Sequence, residues 1–290
     1  YFVSNLYWIS ISLTFDQEFK FLMPFTIFLI PAFLAIFYGL ISLFFIIFKT
    51  KKIISSFFVF SLIFGILEFI RGSILTGFPW NLIAYSFSNQ LEILSITSII
   101  GTYGFNLFCI SLFTSPAIII LKETRKDIVV SIFFLIFIIS LYVHGLFYKD
   151  KFNNSIKETH DYKIRIIGSN ISLERFYAVS DPTLIVEDLI KISNPKMSEK
   201  IIFVWPEGII PDIYQHELNQ FNWLFKKYLS ENHLLIIGIT KKIVNNNSTN
   251  YYNSLSVYDN ELKLLDSYNK TKLVPFGAFL PFENLLKIFG

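Results

Sequence analysis

Two residues have side chains suited to acid–base work and sit where a fold could bring them together. Glu207 closes the apolar part of KIIFVWPEGIIPD (residues 200–212), a run fit for a buried strand that passes through Pro206 and stops at a carboxylate. The carboxyl end of a strand is where α/β sheets hold their sites. Desolvation there would raise a carboxyl pKa towards the working range of a general base. Lys270, in SYNKTKLVPFG, follows another apolar run into a turn with proline and glycine, and an ammonium beside such a carboxylate can stabilise an oxyanion. Each has a structural reading as well: a glutamate after proline can cap a helix, and a turn lysine is usually solvated.

A nucleophile or metal to work with them is harder to find. The one cysteine, Cys109, lies in an apolar segment, so the chain can form no internal disulfide or cysteine-based zinc site, and its second half has no thiol. His144, His160, His216 and His233 show no metal-ligand spacing, and neither a metal nor a cofactor is expected.

The elements that must position Glu207 and Lys270 read as alternating strand and helix. KIRIIGSNI (163–171), KIIFVW (200–205) and LLIIGIT (234–240) are strand-like. DPTLIVEDLIKIS starts a helix with Asp181 as cap and Pro182 at its first position, and residues Ile213 to Ser230 form a second helix. KKIVNNNSTNYYNSLSVYD reads as strand, polar turn and strand, and LKLLDSY as one more short strand. That order predicts a layered α/β domain over residues 149–290.

The first half suits a different solvent. The chain is 53% hydrophobic, and charge-free runs recur at 21–48, 53–67 and 93–121, while 128–147 carries only His144 among titratable groups. Each approaches the roughly 20 residues a helix needs to cross a bilayer, and the run at 53–67 is expected to continue through Glu68 and Arg71. With the apolar stretch at 1–15, residues 1–148 predict a transmembrane helical bundle of about five spans, incomplete at its start. Tyr1 opens the chain without a basic stretch before an apolar core, so a fragment is expected rather than a signal peptide.

Charge placement orients the bundle. Lys49, Lys51 and Lys52 flank one exit and Lys122, Arg125 and Lys126 another, so these loops are expected on the cytoplasmic side and the second half on the far side, the periplasm of a bacterium. The basic clusters are a topology signal, not a nucleic-acid footprint, and the spans lack the deep polar groups of a transporter. Residues 68–90, EFIRGSILTGFPWNLIAYSFSNQ, belong at the membrane interface. Glu68 and Arg71 share a helix face and can neutralise each other, Gly77 and Pro79 break the helix, and Trp80 and Tyr85 suit headgroup depth.

FVWPEGIIPD with YNKTKLVPFGAFLPF resembles the nitrilase-type domain of bacterial apolipoprotein N-acyltransferases. EFIRGSILTGFPWNLIAYS followed by IIGTYGFNLF is similar to that family's membrane segments. The resemblance implies an αββα sandwich of the carbon–nitrogen hydrolase superfamily after the bundle, truncated here. It implies a Glu-Lys-Cys triad with Glu207 as base and Lys270 as oxyanion partner. It also implies lipid or substrate contacts at Arg71, Phe78, Trp80, Phe176 and Asn253. The implied reaction moves an acyl chain from a phospholipid, phosphatidylethanolamine-like, through a thioester to the α-amino group of a diacylated apolipoprotein, by a monomer in the inner membrane. Three features depart from the pattern: no cysteine follows Lys270, Ala278 stands where the family has a glutamate, with Glu283 five residues on, and Phe176 stands where it has a tryptophan. They leave two other readings, a catalytically dead remnant or another membrane-anchored carbon–nitrogen hydrolase.

Overall fold

The computed structural model describes residues 1–14, 17–74, 77–122, 124–155, 160–168, 181–245 and 248–273, the side chains of residues 19 and 126 excepted. The chain falls into two units, one on either side of residues 156–159.

In the first unit, α1 (Phe2–Leu6) and two 3-10 segments (Tyr7–Thr14 and Gln17–Leu22) precede α2 (Met23–Phe48) and α3 (Ile53–Ser73). A 3-10 turn (Ile83–Phe87) and α4 (Leu91–Leu94) lead to α5 (Thr97–Thr114), α6 (Pro116–Leu121) and α7 (Ile128–Asn154). Four helical stretches, Lys20–Phe48, Ile53–Ser73, Thr97–Leu121 and Ile128–Asn154, are long and apolar enough to cross a membrane. Residues 2–14, the apolar stretch that would furnish a fifth span, fold instead as the short α1 and a 3-10 segment. The outward residues of α2 and α7, among them Phe25, Phe28, Leu29, Phe133 and Ile136, are exposed, an arrangement stable only against hydrocarbon. Inward, the helices meet through aromatic edges: Phe45 on Phe60 at 5.3 Å and Phe57 on Phe134 at 5.6 Å. Gly72 allows α3 its closest approach, since a Cβ there would lie 1.9 Å from the Tyr103 hydroxyl.

The second unit is a five-stranded sheet with β1 (Lys163–Ile166), β2 (Ile201–Glu207), β3 (His233–Asn245), β4 (Ser248–Tyr258) and β5 (Leu264–Asn269) side by side in chain order. β1, β2 and β3 are parallel, and β4 and β5 join antiparallel. Helix α8 (Pro182–Ser193) makes the first crossover. Asp181 caps it by accepting from the Thr183 amide at 2.8 Å, and that bond holds the carboxyl below its usual pKa. The helix predicted from Ile213 to Ser230 is two pieces, a 3-10 segment (Gln215–Phe221) and α9 (Asn222–Tyr228). KKIV is not a separate strand but the continuation of LLIIGIT, because the ladder to β4 runs unbroken from Leu235↔Tyr258 to Asn245↔Ser248.

One face of the sheet packs on α8 and α9. Phe203, Trp205, Leu235 and Ile237 meet Val186, Leu189, Leu224 and Phe225 in a single apolar cluster, and the Trp205 indole donates to Ser193 Oγ at 3.0 Å. By strand alternation the other face carries Ile164, Ile166 and Leu255, all exposed, with the partly buried Ile202, Val204, Leu234 and Ile236 between them.

Candidate active site

Glu207 is the last residue of β2, opposite Gly238 of β3 after a register shift at Pro206. The proline has no amide to give the ladder, and the bulge it causes turns the end of the strand. Gly208, at φ +64, then leads the chain away through a conformation that favours glycine. The strand end fits only because β3 has no side chain at 238. A Cβ there would lie 2.5 Å from Glu207 Cα and 2.8 Å from its nitrogen.

Two neighbouring strands bring the partners. Asn253 lies on β4 opposite Thr240, on the face away from the helices, and its amide Nδ2 donates to Glu207 Oε1. Lys270 follows β5 directly. Its backbone N–H donates to the Asn253 carbonyl at 2.8 Å, and its ammonium reaches the same Glu207 oxygen at 3.2 Å. Ser254 steadies this corner by donating to Asn269 Oδ1 at 2.8 Å. The carboxylate and ammonium expected to converge from separate strand ends are thus in direct contact.

The expected desolvation is not there. The Glu207 side chain is 60% exposed and that of Lys270 33%, so among the described residues nothing seals the pair from water. The physical reason is its place, on the sheet face that the helices leave open. A carboxylate with one oxygen held by an amide and an ammonium keeps its other oxygen to take a proton from a nucleophile, and the ammonium is placed to meet negative charge on a substrate oxygen.

In the first unit Arg71 is 1% exposed, and its donors are turned inward. Nε and Nη2 each bond Glu68 at 2.9 Å, and Nη1 donates to the carbonyls of Phe78 at 3.0 Å and Trp80 at 2.9 Å. The ion pair expected from the spacing is present, and it also holds the turn at residues 77–81 by its backbone. On that turn the Trp80 ring stacks on Trp8 at 5.0 Å, and Phe78 tilts against it at 5.2 Å. The exposed ring of Trp80, beside a half-buried Phe78, and not the Arg71 guanidinium, faces outward from this segment. Cys109 is buried in α5. Phe176, Ala278 and Glu283 lie outside the described residues. What sequence reasoning missed is Gly238, although a lone glycine inside LLIIGIT signals close backbone approach.

Comparison with known proteins agrees with the motifs of both halves. The profile of the apolipoprotein N-acyltransferase N-terminal domain matches residues 1–114. The apolipoprotein N-acyltransferase of Rhizobium leguminosarum bv. trifolii is 29% identical over all of this chain and 55% of its own length. That of Brucella melitensis is 26% identical over all of this chain and 55% of its own, and that of Rickettsia prowazekii 29% identical over 99% of this chain and 57% of its own. The chain therefore spans about half the length of the curated relatives it matches. From its first spans through the strands that carry Glu207, Asn253 and Lys270, the chain is similar to the apolipoprotein N-acyltransferases.

Proposed function

We propose that this chain contributes the base and the oxyanion-binding cation of a membrane acyltransferase that moves an acyl chain from a phospholipid to the α-amino group of a diacylglyceryl-cysteine at an apolipoprotein N-terminus. The observation that carries the reading is the 3.2 Å contact between Lys270 and Glu207, with Asn253 on the same oxygen.

In the first half-reaction Glu207 takes the proton of a thiol, and the thiolate attacks the ester carbonyl of the phospholipid. Lys270 stabilises the tetrahedral oxyanion, and the glycerol oxygen leaves with the proton as lysophospholipid, which gives a thioester. In the second, Glu207 takes a proton from the attacking amine, the amide forms and the thiol is restored. Cys109 does not supply the thiol, because it is buried in a span where hydrocarbon disfavours the thiolate. In the proposed reaction the nucleophile comes from polypeptide outside these 290 residues.

Phe78 and Trp80 present an aromatic edge to lipid, and Arg71 keeps them in place. The protein works as a monomer in the inner membrane with the α/β domain in the periplasm, an orientation supported by the lysines at 49, 51 and 52. The test is expression of the full-length gene in bacteria depleted of their own enzyme, with lipoprotein acylation read by mass spectrometry. Triacylated lipoproteins are expected, and Glu207→Gln should cut their formation about 10²- to 10⁴-fold, the usual worth of a general base. Diacylated lipoproteins from a correctly inserted wild type would refute the function.

A further inference from the structure

Beyond Thr240 and Asn253, β3 and β4 continue as a two-stranded ribbon after β2 has ended at Glu207 and β5 at Asn269. On that ribbon Lys242 lies directly opposite Tyr251. Its ammonium sits over two rings at once, 5.2 Å from the Tyr214 centroid and 5.9 Å from that of Tyr251. The two tyrosines touch each other at 5.8 Å, and His216 stacks on Tyr214 at 6.0 Å with its plane 2° away. Tyr214 is held beside the ribbon by its bridge to Thr240.

A ribbon lysine would ordinarily sample many rotamers in water. Two aromatic faces restrict this one, through an attraction that leaves the charge unneutralised. Among the described residues no carboxylate forms an ion pair with Lys242. The result is a cation fixed in direction and open to an anion, beside a ring, Tyr251, that is 57% exposed.

Position identifies the anion. Thr240 and Lys242 alternate onto the same sheet face as Asn253 and Tyr251, which is the face of the Glu207 and Lys270 pair. From Asn253, which bonds Glu207, to Tyr251 and Lys242 is two residues, about 7 Å of strand. A phospholipid whose ester carbonyl lies at Glu207 and Lys270 carries its phosphate one glycerol away.

We propose that Lys242, held between Tyr214 and Tyr251, binds the phosphate of the phospholipid acyl donor. The proposal rests on the acyl-transfer reading, but its test needs no turnover. The chain is purified in a maltoside detergent, which has no phosphate, and titrated calorimetrically with dihexanoylphosphatidylethanolamine, dihexanoylglycerol, glycerol 3-phosphate and inorganic phosphate.

The phospholipid should bind saturably, about tenfold more weakly to Lys242→Gln, the scale of one charge-assisted bond, and nearly normally to Lys242→Arg. The diacylglycerol should bind no better to the wild type than to Lys242→Gln. Inorganic phosphate or glycerol 3-phosphate binding as tightly as the phospholipid would replace the lipid donor by a free phosphate ligand and overturn the proposal. Equal phospholipid affinity in wild type and Lys242→Gln, with matching circular dichroism, would overturn it, as would a wild type that does not bind. Because acyl transfer is read separately in cells, either idea can fall without the other.

Discussion

A guanidinium presents five N–H donors in a rigid fork, and Arg71 directs bonds from it to the Glu68 carboxylate and to two carbonyls of the following turn. Glu68 is itself 1% exposed, so removing the arginine strands a buried charge. Arg71→Leu should destabilise the membrane unit by about 3–5 kcal/mol, the usual cost of breaking a buried pair from one side. The double change Glu68→Gln with Arg71→Leu should cost less than Arg71→Leu alone, because no charge is left unpaired. Thermal unfolding in detergent, followed by fluorescence of the stacked Trp8 and Trp80, measures the order; equal losses in both variants would show that the pair does not hold the turn. His233 is the residue-scale control in the other unit. Its ring is buried at the start of β3, where Nδ1 accepts from the Ser230 amide at 3.1 Å and Nε2 lies 3.1 Å from the Lys196 carbonyl, roles that only the neutral ring can fill together. Burial, with the nearby Arg165 charge adding to it, lowers its pKa. A folded pKa below the unfolded value of about 6.5 means that this stability is complete above that pH and is lost as pH falls towards the folded pKa. Melting between pH 8 and pH 5 should therefore show a steeper loss in wild type than in His233→Gln, by about 1 kcal/mol or roughly 2–4 °C. Parallel curves would remove His233 from the account.

The strands hold the Glu207 and Lys270 pair together only if β2 and β3 stay close at their ends, and Gly238 sets that distance. The atoms that a Cβ would meet are the backbone of Glu207 and the Pro206 carbonyl at 3.1 Å, which cannot swing aside as a side chain can. Gly238→Ala in the full-length protein should therefore lose acyl transfer by tenfold or more while the apolar cluster under the sheet keeps the domain folded. Activity in depleted cells beside circular dichroism of the purified chain would check this; full activity in Gly238→Ala would show that the strand end tolerates displacement. Much at this scale was legible in the sequence. Long charge-free apolar runs located the four long helices, and Asp181 before Pro182 announced the start of α8. The expectation that Glu207 and Lys270 would stand at strand carboxyl ends holds: Glu207 closes β2 and Lys270 follows β5. The rest depends on contacts that leave little local trace. KK at 241–242 looks like the end of an apolar strand, yet cross-strand pairing with Tyr251 and Tyr252 carries β3 through it. The exposure of Glu207 depends on which face the helices cover, and that is decided by α8 and α9 together. The carbonyls that accept from Arg71 have no side-chain signature, so the spacing to Glu68 revealed the ion pair and hid its second task.

At the scale of the whole molecule, two units built for different surroundings share one chain. The first buries aromatic edges inward and leaves Phe25, Phe28 and Phe133 outward, while the second has a packed core under one sheet face. Such a chain must deliver its polar unit wholly to one side of the bilayer, and the number of spans after the last basic loop decides which. On the proposed topology α7 is the one span after Lys122 and Arg125, which would put that loop and the α/β unit on opposite sides of the bilayer. On the same topology the loop at Lys51, two spans earlier, would share the side of Lys122. Glu231 and Lys51 are both exposed, which makes them suitable reporters, and Cys109 is the only thiol to remove. In a Cys109→Ser background, Glu231→Cys should react with a membrane-impermeant maleimide once the outer membrane is opened, and Lys51→Cys only after the inner membrane is lysed. If Lys51→Cys reacts first, the polar unit faces the cytoplasm, away from lipoproteins carried outward, and the Glu207 and Lys270 pair would have to serve a different acyl acceptor.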